Sequence, residues 1–188
     1  MRRIVLLCLI FVSVLLGGCN LNTNSEREPI EIEESEHGTF STYYHETNMG
    51  TFETGPIIID VEEMYLVQSD LETESTQVIS SEESQDYITF LLSVSSEVSE
   101  GENIEFSPDH LTLSTNTGEH FESPHDTLSD TVDIQYIGSN TVRRIAYILE
   151  DSKASEIDNV HFKIKAPTNE DNEKIGEDIE LNIDMTER

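Results

Sequence analysis

From Ile179 to Asp184 the chain reads apolar, charged, apolar, polar, apolar, charged, and Met185 continues the apolar positions. Successive side chains of an extended strand point to opposite faces. The alternation therefore buries Ile179, Leu181, Ile183 and Met185 and leaves Glu180, Asn182 and Asp184 in water. The same two-residue period recurs along the chain, and no stretch sustains the 3.6-residue period of a long helix. Ile88, Phe90, Leu92 and Val94 form the clearest strand, with Leu91 making it partly two-sided. Ile57, Ile59 and Val61 alternate until Glu62-Glu63 interrupts them, and Met64 and Leu66 follow. Ile104 and Phe106 make a short strand ended by Pro108, and Leu111 and Leu113 lead through a turn at Asn116 to Glu119 toward Phe121. Ile145, Tyr147 and Leu149 share one face of a strand from Val142 to Leu149, and Val160, Phe162 and Ile164 share one face of the next. Thr131 to Ile137 also alternates, between polar loops, and Lys153 to Asn159 suits one helical turn.

Seven to nine short strands separated by turn signals predict an all-β chain folded as an antiparallel β-sandwich. One-sided alternation gives each sheet a wet face, which suits antiparallel better than parallel pairing. The strands occupy residues 49–188, about 140 residues, enough for one domain with a single core. Two polar segments, Gln68 to Gln85 and Glu122 to Asp130, are long for connections and are expected to be functional or disordered. Val78-Ile79 lies within the first of them.

The N-terminus follows another logic. Arg2 and Arg3 precede thirteen uncharged residues, Ile4 to Leu16, and Gly17 and Gly18 stand before Cys19. A bilayer span needs about 20 apolar residues, so the run fits a signal sequence rather than a membrane helix. No A-x-A cleavage triplet is present, and Leu16-Gly17-Gly18-Cys19 instead resembles the bacterial lipobox. That resemblance implies a diacylglyceryl group on the Cys19 sulfur and cleavage between Gly18 and Cys19. Residues 1–18 are then a lipoprotein signal peptide, and two acyl chains give durable membrane attachment. Cys8 lies in the removed segment and Cys19 is acylated, so the exported chain is left without a thiol or a disulfide.

Residues 19–48 are polar and acidic, with Pro29 and the run Glu31-Ile32-Glu33-Glu34-Ser35-Glu36, and they read as a disordered acidic tether. A flexible coil of that length spans roughly 30 Å. Thr39 to Tyr44 is β-prone and able to pair with the domain.

The whole chain carries a formal charge of −29, from 39 acidic and 10 basic residues. Without Arg2 and Arg3 the exported part has eight basic residues against the same 39 acids, a charge of −31. Such a field repels nucleic acid and anionic headgroups, which argues against both as direct ligands. The acids are spread along the sequence, as on a solvated surface adapted to high salt or alkaline surroundings, rather than clustered as metal ligands.

Several stretches together resemble a domain of unknown function found in lipoproteins of Bacillus-like bacteria. They are Glu53-Thr54-Gly55-Pro56, Phe106-Ser107-Pro108-Asp109, Leu111 to Glu119, Ala146 to Glu150, Ile157 to Pro167 and Ile175 to Ile183. The resemblance implies a telokin-like, immunoglobulin-like fold over roughly Gly50 to Met185 and carries no catalytic residues with it. It departs at Ser95-Ser96-Glu97, where an Asn-Thr turn is usual, and before Gly138, where glycines are few.

Chemistry is sparse. His110, His120 and His125 with Glu119 and Asp126 are the nearest approach to a metal-ligand set, since a hairpin at Asn116 to Gly118 brings His110 and His120 toward neighbouring strand ends. Asp171-Asn172-Glu173 fails the calcium-loop pattern, because Ile175 and Asn182 fall where ligands are needed. His45-Glu46 lacks the second histidine of a zinc-protease helix, and no phosphate-binding or nucleophile-elbow motif is present. Arg143 and Arg144 are adjacent in a strand and point to opposite faces, each expected to pair with carboxylates. The expectation is a non-catalytic lipoprotein on the extracytoplasmic face of the cell membrane, without a cofactor beyond its lipid. It would bind an envelope protein or serve a structural task there; the rival reading is capture of a solute or a metal ion.

Overall fold

The computed structural model describes residues 27–71, 84–96, 103–133 and 142–186. Among these residues it contains eleven strands and two single 3₁₀ turns. The strands are β1 (Glu31–Ser35), β2 (Gly38–Thr54), β3 (Ile57–Leu71), β4 (Ser84–Ser96), β5 (Ile104–Glu105), β6 (Leu111–Thr115), β7 (His120–Phe121), β8 (Val142–Leu149), β9 (Asn159–Ile164), β10 (Thr168–Asn169) and β11 (Ile179–Asp184). A five-stranded sheet in the order β1-β2-β3-β4-β8 faces a four-stranded sheet in the order β11-β9-β6-β7, and β5 and β10 pair separately. Every pairing is antiparallel. The molecule is an all-β sandwich, as the alternation predicts.

The period-two faces meet between the sheets. Ile57, Ile59 and Val61 of β3, Ile88, Phe90, Leu92 and Val94 of β4, and Ile145 and Tyr147 of β8 are fully or almost fully buried against Leu111, Leu113, Val160, Phe162 and Ile164. In β3 the buried positions shift from odd to even numbers after Val61, because a bulge falls between Val61 and Glu63. One extra residue, Glu62, returns Met64 and Leu66 to the core face. The helical turn expected after Lys153 is the 3₁₀ turn Ala154–Glu156. Only Thr131 to Asp133 of the alternating run at Thr131 to Ile137 are described; they form no strand, although Val132 is fully buried.

The acidic segment expected to be a disordered tether is largely strand from Glu31 onward. β1 pairs with the beginning of β2 from Glu31↔Thr42 to Ser35↔Gly38, and β2 then pairs along β3. Arg27 is already docked: its backbone N–H donates to the Ser155 carbonyl at 3.1 Å and its guanidinium donates to Asp158 at 3.1 Å. A strand at a sheet edge needs no apolar face, and charged side chains there discourage pairing with other chains. This is why EIEES, exposed at all five positions, is compatible with a strand as well as with a coil. The long loop at Gln68 to Gln85 is likewise trimmed at both ends, since β3 runs to Leu71 and β4 starts at Ser84. Val78 and Ile79 lie outside the described residues.

The segment Glu122 to Asp130 lies along the outer edge of β8. The His125 and Asp130 N–H groups donate to the Ala146 and Arg144 carbonyls at 2.7 Å each. The Ala146 N–H donates in turn to Ser129 Oγ at 2.9 Å, and the Arg144 N–H to Asp130 Oδ2 at 2.9 Å. These bonds satisfy an edge that would otherwise present free backbone groups, and they fix the position of Leu128.

On the four-stranded sheet, Asp178 accepts from the Ala166 N–H at 3.0 Å, from Lys174 Nζ at 2.7 Å and from Lys163 Nζ at 2.9 Å. The Ala166 amide, then the two lysines, hold its carboxyl far below the ordinary carboxylate range. A depressed acid contributes stability above its unfolded value near 3.8 and loses that contribution as pH falls through its folded value. Asp178→Asn is expected to cost about 2 kcal/mol at pH 7 and progressively less below pH 4. Urea unfolding of both proteins across this range checks it; a difference that persists undiminished at pH 2 would show that charge is not the source.

Candidate binding cleft

The five-stranded sheet also carries apolar side chains on the face turned away from the core. Cross-strand neighbours set them in rows: Glu33, Phe40, Ser69 and Gln85; then Thr42, Val67 and Tyr87; then His45, Tyr65, Thr89 and Ala146; then Glu63, Leu91 and Arg144. Together with Leu71 and with Leu128 from the segment along β8, most of these residues line a cleft of about 540 Å³. Val67, Ser69, Leu71, Thr89 and Ala146 are buried. Bulges in β2 at Thr42/Tyr44 and Thr47/Gly50, and in β3 at Val61/Glu63, bend the two longest strands of this sheet.

Two tyrosines furnish the aromatic surface. The Tyr65 ring stacks on His45 at 4.2 Å between centroids, and its hydroxyl donates to Glu63. That bond is the first cause of both shifts, lowering the Glu63 carboxyl and pushing the Tyr65 phenol up to about 12. Glu63 Oε2 also lies 3.1 Å from His45 Nε2, so its charge is already engaged. The Tyr87 phenol is raised by burial, against the opposing charge of Arg144. The side chain of Arg144 pairs with no carboxylate among the described residues, contrary to the ion pair expected of it. Asp130, the nearest acid in the hydrogen-bond pattern, is bound to its backbone N–H instead.

The residues expected to gather around a metal stand apart. His110 Nδ1 accepts from the Ser107 N–H at 3.1 Å in the turn before β6, its ring lies 5.1 Å from Phe106, and burial holds its pKa below the usual imidazole value. His120 lies opposite Ser114, four residues along β6 from His110, bonded to Ser114 Oγ at 2.8 Å and to Glu122 at 2.9 Å. His125 Nδ1 accepts from the Thr127 and Leu128 N–H groups at 3.3 and 3.4 Å, closing its own turn, and Asp126 is exposed on that turn. Glu119 Oε1 accepts from the Glu150 and Asp151 N–H groups. Each ligand candidate but Asp126 is thus used locally, and among the described residues no three His, Cys, Asp or Glu side chains converge on a metal position. The hairpin forms as expected, but its register sets His120 beside Ser114 rather than beside His110.

Cys19 and Gly18 lie outside the described residues. The cleft itself has a trace in the sequence: Leu91, which spoils the one-sided alternation of β4, lines it. Tyr65 and Val67 lie across a bulge from the clean alternation of β3, which hid them. No protein-family model, curated protein or solved structure matches this chain significantly.

Proposed function

We propose that the chain is a lipid-anchored lipoprotein of the extracytoplasmic membrane face, with a diacylglyceryl group on Cys19, and that its sandwich is a non-catalytic module for capturing a solute. The observation that carries the binding role is the cleft on the outer sheet face. Its volume of about 540 Å³ lies in the range of small-molecule sites, and its lining is mostly apolar with a few polar groups. An envelope protein as partner is favoured less, because docking between proteins takes about 800 Å² from each side, and the described residues expose few large apolar side chains, Ile30, Ile32 and Val142. Capture of a metal ion lacks a converged ligand set among the described residues. The relation to telokin-like, immunoglobulin-like lipoprotein domains belongs to the same proposal and rests on the sequence stretches that resemble them.

The anchoring rests on the Leu16-Gly17-Gly18-Cys19 sequence and on the apolar run before it. Arg27 is docked, so only eight residue steps separate it from Cys19. As a flexible coil these span roughly 16 Å, about half of what a thirty-residue tether would, which keeps the domain closer to the bilayer.

One experiment in cells addresses both parts. With a benzophenone amino acid at Leu91, irradiation is expected to give an adduct of small-molecule mass on a chain that fractionates with the membrane at its mature size. An adduct of protein mass would replace the solute reading with an envelope partner. In the same cells Cys19→Ser is expected to release the chain or leave it unprocessed; membrane retention at the mature size would remove the lipid anchor.

A further inference from the structure

We infer that the cleft takes a lipophilic monocarboxylate of the fatty-acid type, its carboxylate on Arg144 and its apolar body along Leu91, Tyr65, Val67 and Phe40. This rests on the reading of the cleft as a solute site. The first ground is charge. Four arginines occur in the whole exported chain, Arg27, Arg143, Arg144 and Arg188, and Arg144 is the one that lines the cleft. Arg27 and the lysines Lys163, Lys165 and Lys174 are each held by a carboxylate. Arg144, like Arg143 and Lys153, is held by none among the described residues, but of these three it is the one that lines the cleft. A guanidinium presents a fork of donors that matches a carboxylate.

The second ground is the disposition of the other charges. Glu63, the acid in the same row as Arg144, is bonded to Tyr65 and His45. Asp130 is bonded to the backbone of Arg144 rather than to its guanidinium. Among the described residues Glu33 is the acid that lines the cleft, and it stands three cross-strand rows from Arg144. At two residues per row and about 3.3 Å per residue, that is roughly 20 Å along the strands, beyond a Debye length of about 8 Å. Glu33 is thus screened from Arg144, and the nearer acids, Glu63 and Asp130, accept hydrogen bonds from other groups than its guanidinium. Between these two ends the walls are mostly apolar and aromatic, with Thr42 and Thr89 as uncharged polar exceptions, so an uncharged chain is accommodated there and a second charge is not. A phosphate or a sugar would leave that surface unused. The short reach from Cys19 to Arg27 adds a source, since a cleft held near a bilayer sits where such acids partition.

The test uses the mature lipidated chain in nanodiscs, titrated calorimetrically with decanoate and with decanol, with empty nanodiscs as the blank. Uptake by lipid is common to all variants and cancels between them. Decanoate is expected to bind saturably at one per chain. Decanol, and decanoate with Arg144→Gln, are expected to bind at least about tenfold more weakly, in line with the loss of a charge-assisted hydrogen bond. Leu91→Asp, on the same wall, is expected to abolish binding, with circular dichroism confirming that the sandwich is intact. Equal affinities for decanoate and decanol, or an unchanged affinity in Arg144→Gln, would overturn the carboxylate assignment. If neither probe binds the folded protein, the ligand class falls as a whole. The mass of the adduct at Leu91 then separately decides whether the cleft is a solute site at all.

Discussion

Phe90→Ala is expected to remove about 4 kcal/mol of stability and to lower the melting temperature by more than about 10 °C. Phe90 is fully buried, and its ring stacks on Phe162 of the opposite sheet with centroids 4.3 Å apart and planes 19° from parallel. Tyr147 meets both rings edge-on at 6.4 and 6.5 Å, and Phe121 packs on Tyr147 with centroids 5.7 Å apart. The two sheets are joined here by aromatic contact, and Tyr147 adds a hydrogen bond across the core to the Leu111 carbonyl at 3.1 Å. No cysteine lies between residues 27 and 186, so no disulfide shares the load. A loss of this size is a large part of the 5–15 kcal/mol typical of a whole domain. Phe40→Ala provides the contrast, because Phe40 lies on the outer face of the same sheet and is only half-buried. It is expected to cost about 1 kcal/mol, in proportion to the area it withdraws from water. Denaturant unfolding of the two variants checks the pair; equal losses would mean that the sheet interface is not where the stability resides.

The strands of this core were legible where one face is wet. Ile179 to Asp184 alternates cleanly, Val142 to Leu149 shows Ile145, Tyr147 and Leu149 on one face, and both are strands over those same residues. Where the alternation failed, a physical reason is visible. Glu62-Glu63 marks a bulge, which a two-residue period registers only as an interruption. The edge strand β1 has no buried face, so EIEES offers no pattern by which to separate it from a coil. The three histidines were grouped by closeness in sequence, whereas hairpin register and local capping decide which side chains meet. The cleft was the least legible feature. It takes residues from β1, β2, β3, β4, β8 and the segment along β8, and no single stretch of sequence holds more than a few of them. Leu91 and Arg144 come side by side through the pairing of β4 with β8, a long-range fact that neither strand records alone.

Two of the stretches that resemble the lipoprotein domain, Glu53-Thr54-Gly55-Pro56 and Ile175 to Ile183, acquire a common meaning in the fold, and Gly176→Ala is the substitution that tests it. The β2–β3 turn packs against the segment before β11: Thr54 is buried, and its hydroxyl donates to the Glu177 carbonyl at 2.8 Å. Gly55 and Gly176 both have positive φ, 57° and 119°. A Cβ on Gly176 would collide with the Gly55 nitrogen and come within 2.8 Å of Thr54 Oγ1, while a Cβ on Gly55 would collide with the Ile175 carbonyl oxygen. Both obstacles are backbone, which cannot rotate aside as a flexible side chain would. Gly118 supplies the control, for its φ is also positive at 99° yet a Cβ there would meet nothing within 4 Å. Gly118→Ala therefore carries the conformational strain alone, about 1–2 kcal/mol. Gly176→Ala carries that strain plus an overpacked contact, about 4 kcal/mol in all. The excess of roughly 2 kcal/mol measures how tightly the turn is seated against the last strand. Equal losses in the two variants, read by denaturant unfolding, would reduce Gly176 to a turn residue and separate the two stretches again.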